Sequence, residues 1–250
     1  MEHLRLDVTD GIATLTLSRG KVNALHEPLV QDLAAALDRL ADAADVRALI
    51  LTGAGKFFSF GFDLPGFLNY SREEFGQFAE KFSRLCRRLF LYPKPVIAAL
   101  NGHAVAGGCV LALPCDVRVM AADKAKIGLN EITFGSTVFG GIVEMLTHIV
   151  GARHAERVLL EGVFYSAAEA LSLGLVDRAA PLEDVPAIAR EVARTCAARD
   201  LTAYASLKRQ LRRTAAENIA RGEAAALTEF LDLWYSPSTR EKLQGITIQS

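Results

Sequence analysis

The sequence has almost no excess charge. Its 28 Lys and Arg against 29 Asp and Glu leave a formal net charge of −1 over 250 residues. No global field therefore favours nucleic acid or an anionic membrane surface. The longest charge-free apolar stretch, around Ala104 to Cys115, is too short to span a bilayer, which takes roughly 20 residues. The four cysteines, at 86, 109, 115 and 196, show no C-x-x-C spacing, and a reduced, cytoplasmic setting is the expectation. Met1 to Val8 already alternates like a strand, so no secretory signal or Arg-rich transit peptide is expected at the start. No Cys/His spacing suits a metal, and no G-x-x-x-x-G-K-S/T suits a nucleotide phosphate. Internal repeats, low-complexity tracts and long linkers are missing too.

What is present is apolar mass, 51% of residues, with a mean hydropathy of +0.21. That suffices for a full core, as one large domain or one domain with an appendage. Leu4, Leu6 and Val8 alternate with polar residues, Asp10-Gly11 turns, and Ile12, Leu15 and Leu17 continue, which predicts a hairpin. Pro28 suits a first helical turn, and Leu29, Leu33, Leu37 and Leu40 then share one helical face. Val46 to Leu51 reads as a buried strand. Ser71 and Glu74 form a capping box for a helix to about Tyr92, and Ser166 and Glu169 form another. A short strand is expected at Leu175-Val176-Asp177. Helical segments are expected over 184–199, 202–221 and 222–234. Around residue 195 the pattern turns purely helical, which divides a core over 1–195 from a helical region over 196–250.

Three glycine-containing segments interrupt this scheme. Gly53 to Leu64 carries Phe57, Phe58, Phe60 and Phe62, as a lining or as a core plug beneath a loop. Gly61 there would allow an unusual backbone angle that exposes the Phe62 N–H. After the apolar run Val96 to Leu100, Asn101-Gly102 turns and Ala106-Gly107-Gly108-Cys109 opens a helix. Its free first-turn N–H groups point at whatever precedes it. Paired glycines serve either tight packing or the approach of a ligand. Ile127 to Gly135 carries Glu131 among apolar neighbours. Buried there, a carboxyl would have a raised pKa suited to proton transfer. His103 has no Ser, Cys or acid pattern around it for a triad and reads as structural.

Together these segments resemble the crotonase superfamily, the enoyl-CoA hydratases and isomerases. The matching stretches are Phe58 to Leu64, Asn101-Gly102 through Ala106-Gly107-Gly108-Cys109 to Asp116, Ile127 to Gly135, and Ser166 to Asp177. The resemblance implies an α/β fold, a spiral of ββα units with a C-terminal helical trimerisation region. It implies acyl-CoA thioester substrates, with coenzyme A entering as part of the substrate and no separate cofactor. It assigns an oxyanion hole to the N–H groups of Phe62 and Gly107, and acid–base work to Glu131. Substrate contacts would come from Val22, Ala24, Lys56, Phe60, Gly61, Asp63, Leu64 and Gly108. Lys56 reads equally as a phosphate contact or a solvated surface lysine.

Hydratases of this pattern carry a second carboxylate at the position of Val110. The single carboxylate is similar to the 3,2-enoyl-CoA isomerase branch. Hydration or C–C cleavage of an acyl-CoA, and a non-catalytic acyl-CoA-binding subunit, are the alternatives. Phe60 replaces a residue that is commonly small, and Thr137-Val138-Phe139 lacks the usual proline-glycine approach. Leu227, Phe230, Leu231 and Trp234 have no obvious cover, so a homotrimer or dimer of trimers is expected.

Overall fold

A computed structural model describes residues 2–246. Met1 of the alternating opening stretch and residues 247–250 of the expected helical region lie outside the described residues.

The hairpin forms as β1 (Leu4–Thr9) and β2 (Ile12–Leu17), paired antiparallel. Asp10 and Gly11 both take positive φ, 53° and 74°, the two-residue turn whose twist suits a hairpin. α1 (Glu27–Asp42) follows with Pro28 in its first turn and Leu29, Leu33, Leu37 and Leu40 buried. The next strand, β3 (Ala48–Gly53), starts two residues later than the apolar run suggests. Val46 is still turning, with its N–H on the Ala43 carbonyl at 3.2 Å.

From here the chain repeats one unit. A long strand is followed by a short one, then by helix. β3 leads to β4 (Phe57–Ser59), the single turn α2 (Leu64–Phe67) and α3 (Arg72–Phe90). β5 (Val96–Leu100) leads to β6 (His103–Val105) and α4 (Gly107–Ala112). β7 (Val117–Ala121) leads to β8 (Ile127–Gly128), a 3-10 turn over Glu131–Phe134, α5 (Gly140–Glu161) and α6 (Ala167–Leu173). β9 (Arg178–Ala180) opens one more round, before α7 (Val185–Ala197). The long strands build a six-stranded sheet in the order β1-β2-β3-β5-β7-β9, parallel beyond the hairpin. The short ones build a parallel sheet, β4-β6-β8. This is the expected spiral of ββα units. Sequence pattern had missed the small sheet, whose strands of two or three residues are too short for any periodicity.

Local chemistry sets the helix ends. Both capping boxes form: Ser71 and Ser166 accept from the N–H groups of Glu74 and Glu169, whose carboxylates reach back to the serine N–H groups at 2.8 and 2.7 Å. Gly151, at φ 76° and ψ 160°, breaks α5 into two helical segments. The expected strand at 175–177 lies three residues further on, as β9. Residues 174–176 instead close α6, with the Leu175 and Val176 N–H groups both on the Ala170 carbonyl.

The tail departs most from expectation. Residues 201–234 form one 34-residue helix, α8 (Leu201–Trp234), which runs through Gly222 without a break, and α9 (Pro237–Gln244) follows. Gly222 has no neighbour within 4 Å of an added Cβ. It costs the helix only about 1 kcal/mol, which packing elsewhere along α8 outweighs. Asp116 anchors α8 near its start, bonded to Lys208 at 2.8 Å and Arg212 at 2.9 Å, all three nearly buried. Further along, Glu223 takes Ser83 Oγ at 2.6 Å and Arg87 at 3.0 Å on α3. Phe230 and Trp234 are only 3% and 2% exposed. Trp234 stacks on Phe75 at 4.5 Å, and Phe230 meets Phe139 edge-on at 4.6 Å. Leu227 and Leu231 pack on the same core. The residues expected to lack cover are thus covered by their own chain. No helix among the described residues is long and apolar enough to cross a membrane.

Candidate active site

Two segments, each carrying a backbone amide without an intramolecular partner among the described residues, pack together where the first repeat meets the second. The segment Val22–Leu25 zips onto Phe60–Asp63 through three hydrogen bonds. Phe60 N–H donates to Val22 O at 3.0 Å, Leu25 N–H to Gly61 O at 2.7 Å, and Asp63 N–H to Leu25 O at 2.9 Å. In this parallel bridge Leu25 bonds to the residues on either side of Phe62, so the N–H of Phe62 itself is turned away from it. That N–H meets no acceptor among the described residues. Asn23 secures the segment from beneath. It is fully buried, with φ at 51°, and its Nδ2 donates to the carbonyls of Ala54 and Phe57, both at 2.9 Å.

The second amide is that of Gly107, the first residue of α4, whose N–H has no partner within the helix. Ala106 before it takes φ 47° and ψ −122°, a conformation rarely open to a residue with a side chain. It is pinned there by its N–H on Gly128 O at 2.9 Å and by its carbonyl, which accepts from Val110 N–H at 3.0 Å. Gly61, at φ +95°, lies against Gly107. A Cβ built on Gly61 would stand 3.0 Å from the Gly107 nitrogen, and one on Gly107 would stand 3.0 Å from Cδ1 of Phe62.

Phe62 and Gly107 both line a cavity of about 400 Å³. Its wall comes from Phe60, Phe62 and Leu64, from Val105, Ala106, Gly107 and Val110, and from Asn130, Glu131, Thr133 and Phe134. Thr137 to Phe139, Ile142 and Phe164 add to it, and Phe230, Trp234, Lys242 and Ile246 close it from the C-terminal end. The Phe62 ring does not stand free. It meets Phe67, Phe75, Phe78 and Phe82 edge-on at 5.2–6.1 Å. Edge-on rings at such spacing are mutually favourable.

Among the described residues, Glu131 is the one carboxylate in the wall and Lys242 the one cation. Glu131 Oε2 is sealed from solvent and accepts no hydrogen bond among the described residues. Burial pushes its pKa up to about 7, against a smaller opposing effect of backbone hydrogen bonding at Asn130 and Glu131. Val110, 4% exposed, offers no second carboxylate. Cys109 beside it is fully buried, and burial first, then the Glu131 charge, raise its thiol pKa, so it stays a neutral thiol.

Of the residues singled out from sequence, Phe60, Phe62, Leu64, Gly107 and Glu131 line the cavity. Val22, Ala24, Lys56, Gly61, Asp63 and Gly108 lie outside its wall. Asp63 is taken by Arg19 at 2.6 Å, and Arg19 also donates to the Ala24 carbonyl at 3.1 Å. Gly108 is a packing glycine, since a Cβ on it would fall 2.2 Å from the Ser59 carbonyl oxygen. Lys56 is exposed on the loop before β4. His103 sits in β6, its ring tilted against Phe57 at 5.1 Å, with its pKa lowered by burial. Sequence reading missed Phe230, Trp234, Lys242 and Ile246. The only signal was the apolar face of the tail, which shows that something is covered and not what.

The enoyl-CoA hydratase/isomerase family model matches residues 7–247. A probable enoyl-CoA hydratase of Bacillus subtilis is 35% identical over 199 residues, 77% of each chain. The mitochondrial enoyl-CoA delta isomerase 1 of mouse is 31% identical over 235 residues, 93% of this chain and 81% of that one. The crystal structure of human mitochondrial delta3-delta2-enoyl-CoA isomerase superimposes with a TM-score of 0.93 at 28% identity, covering 97% of this chain and 96% of the other.

Proposed function

The chain belongs to the enoyl-CoA hydratase/isomerase family, and from that premise we propose that it converts 3-enoyl-CoA to trans-2-enoyl-CoA, with Glu131 as sole acid–base. The observation that carries this reading is the composition of the cavity wall, which among the described residues has one carboxylate and no other, with Val110 where a second would be. The ionised Glu131 takes a proton from C2, beside the thioester carbonyl. The electron pair moves onto the carbonyl oxygen and makes a dienolate. The Phe62 and Gly107 N–H groups donate to that oxygen as charge builds, each contributing roughly 3–4 kcal/mol to the transition state. The protonated Glu131 then delivers the same proton to C4, and the double bond comes to rest between C2 and C3. A carboxyl with a pKa near 7 suits both halves of this exchange at neutral pH.

Hydration makes a different demand, since water must be held and deprotonated while a second proton goes to C2. One carboxylate serves that poorly. In this reading coenzyme A arrives with the substrate and its phosphates stay outside the cavity, where exposed Lys56 meets them. Exposed Leu160, Leu207 and Leu211 support a homotrimer or dimer of trimers. Glu131→Gln keeps size and hydrogen bonding but cannot carry the proton. It should bind acyl-CoA as before and lose isomerisation by about two orders of magnitude or more. Mass spectrometry of products from 3-enoyl-CoA and trans-2-enoyl-CoA decides the reaction. Hydration by the wild type as fast as isomerisation, or full isomerisation by Glu131→Gln, defeats the proposal.

A further inference from the structure

We infer that Thr239 is a positioning residue for Glu131, through which α9 couples the filling of the cavity to the placement of the base. The inference rests on the reading of Glu131 given above. Glu131 opens a 3-10 turn that Gly135 closes at φ +83°. The Glu131 carbonyl accepts from the N–H groups of Gly135 and Ser136, so base and turn form one closed loop. The Gly135 carbonyl in turn accepts the Thr239 hydroxyl at 2.9 Å, and that hydroxyl accepts from Ser236 Oγ at 3.0 Å. Thr239 is 1% exposed, so water does not compete for this bond. A Cβ on Gly135 would stand 3.0 Å from Thr239 Oγ1, so no side chain fits between the turn and the helix.

The same C-terminal segment forms one wall of the cavity, through Trp234, Lys242 and Ile246. A group that fills the cavity therefore presses on a segment that also holds the turn beneath the base, alongside the bond from Arg240 to the Leu68 carbonyl at 2.6 Å and the buried Leu243. Binding energy from the far end of the acyl chain can in this way be spent on holding the reacting carboxylate, and it raises turnover rather than affinity.

Thr239→Val keeps the shape of the side chain and removes the hydroxyl, while Thr239→Ser keeps the hydroxyl. In Thr239→Val we expect kcat with a long 3-enoyl-CoA to fall 10- to 100-fold, the cost of a small misplacement of a reacting group. KM should stay within about twofold, and the ratio of kcat between long and short acyl chains should collapse toward one. Thr239→Ser should stay within about threefold of wild type. Infrared titration of the Glu131 carboxyl, with Glu131→Gln as the blank, reads placement without turnover, and its midpoint should move in Thr239→Val only. Ser236→Ala, which withdraws the bond that orients the hydroxyl, is the milder second variant and should move the midpoint the same way. The inference is overturned by an unmoved midpoint in both Thr239→Val and Ser236→Ala, by equal losses in Thr239→Val and Thr239→Ser, or by a change in KM alone. Absence of any wild-type isomerisation would instead defeat the proposed reaction, and the titration would still judge the placement.

Discussion

The backbone at Gly61 and the amide nitrogen of Gly107 approach so closely that a Cβ at residue 61 would stand 3.0 Å from that nitrogen, and equally 3.0 Å from the Val105 carbonyl oxygen. With φ at +95°, Gly61→Ala faces both strain and collision. It should destabilise the fold by more than about 1 kcal/mol and pull the two amides apart. Thermal melts and steady-state kinetics check this, with kcat expected to fall more than KM changes.

Glu131 must be ionised to accept a proton. With its pKa pushed up to about 7 by burial, kcat/KM should fall about tenfold per pH unit below that value and level off above it. A profile flat from pH 5 to 8 would rule out this carboxyl as the base.

The same burial makes Glu131 a cost to the fold. Its folded pKa lies above the ordinary value of 4.5, so the folded state favours the protonated form. Stability is therefore lost as pH rises through the window from about 4.5 to 7, by about 3 kcal/mol in all. Glu131→Gln escapes this. Its melting temperature should exceed that of the wild type by several degrees at pH 8 and match it near pH 4.5, as calorimetry at the two pH values would show.

Asp116 joins β5, through the Val96 N–H at 2.8 Å, to Lys208 and Arg212 of α8. Asp116→Ala leaves two buried cations without their carboxylate. A loss of about 3–5 kcal/mol is the usual result, here expected to loosen α8 first. Denaturant melts followed by the fluorescence of Trp234, the single tryptophan, would report it.

Assembly is tested by sedimentation equilibrium. The chain weighs 27.0 kDa, and a homotrimer or a dimer of trimers should sediment at three or six times that mass. A stable monomer at micromolar concentration defeats the expectation. Leu211→Asp, which places a charge at the most exposed large apolar residue, 74% exposed, tests whether α8 takes part.

Much of this was legible in residues because the chemistry involved is local. Ser71 with Glu74, Ser166 with Glu169, and Asp10-Gly11 each contain their own partner within a few positions. Gly61 and Gly107 were legible as exposers of backbone donors, and Glu131 as a carboxyl among Ile127, Leu129 and Phe134. Roles that depend on distant partners were not legible. Asp63 stands beside a cavity residue in sequence, yet its charge goes to Arg19. Gly108 stands beside a donor, yet it answers to the Ser59 carbonyl. The apolar face of α8 predicted a neighbour, and α3, α5 and the cavity itself supply it.

During synthesis the two halves of the aromatic cluster leave the ribosome far apart in time. The rings of Phe62, Phe75, Phe78 and Phe82 are made early, but Phe230 and Trp234, which cover this cluster, come roughly 150 residues later. At ribosomal speeds of 5–20 residues per second, the cluster waits about 8–30 s for its cover. A nascent chain thus carries a sticky aromatic face through more than half of its synthesis, a natural client surface for a chaperone. A fragment that stops short of residue 230 would display that face permanently and should aggregate rather than idle.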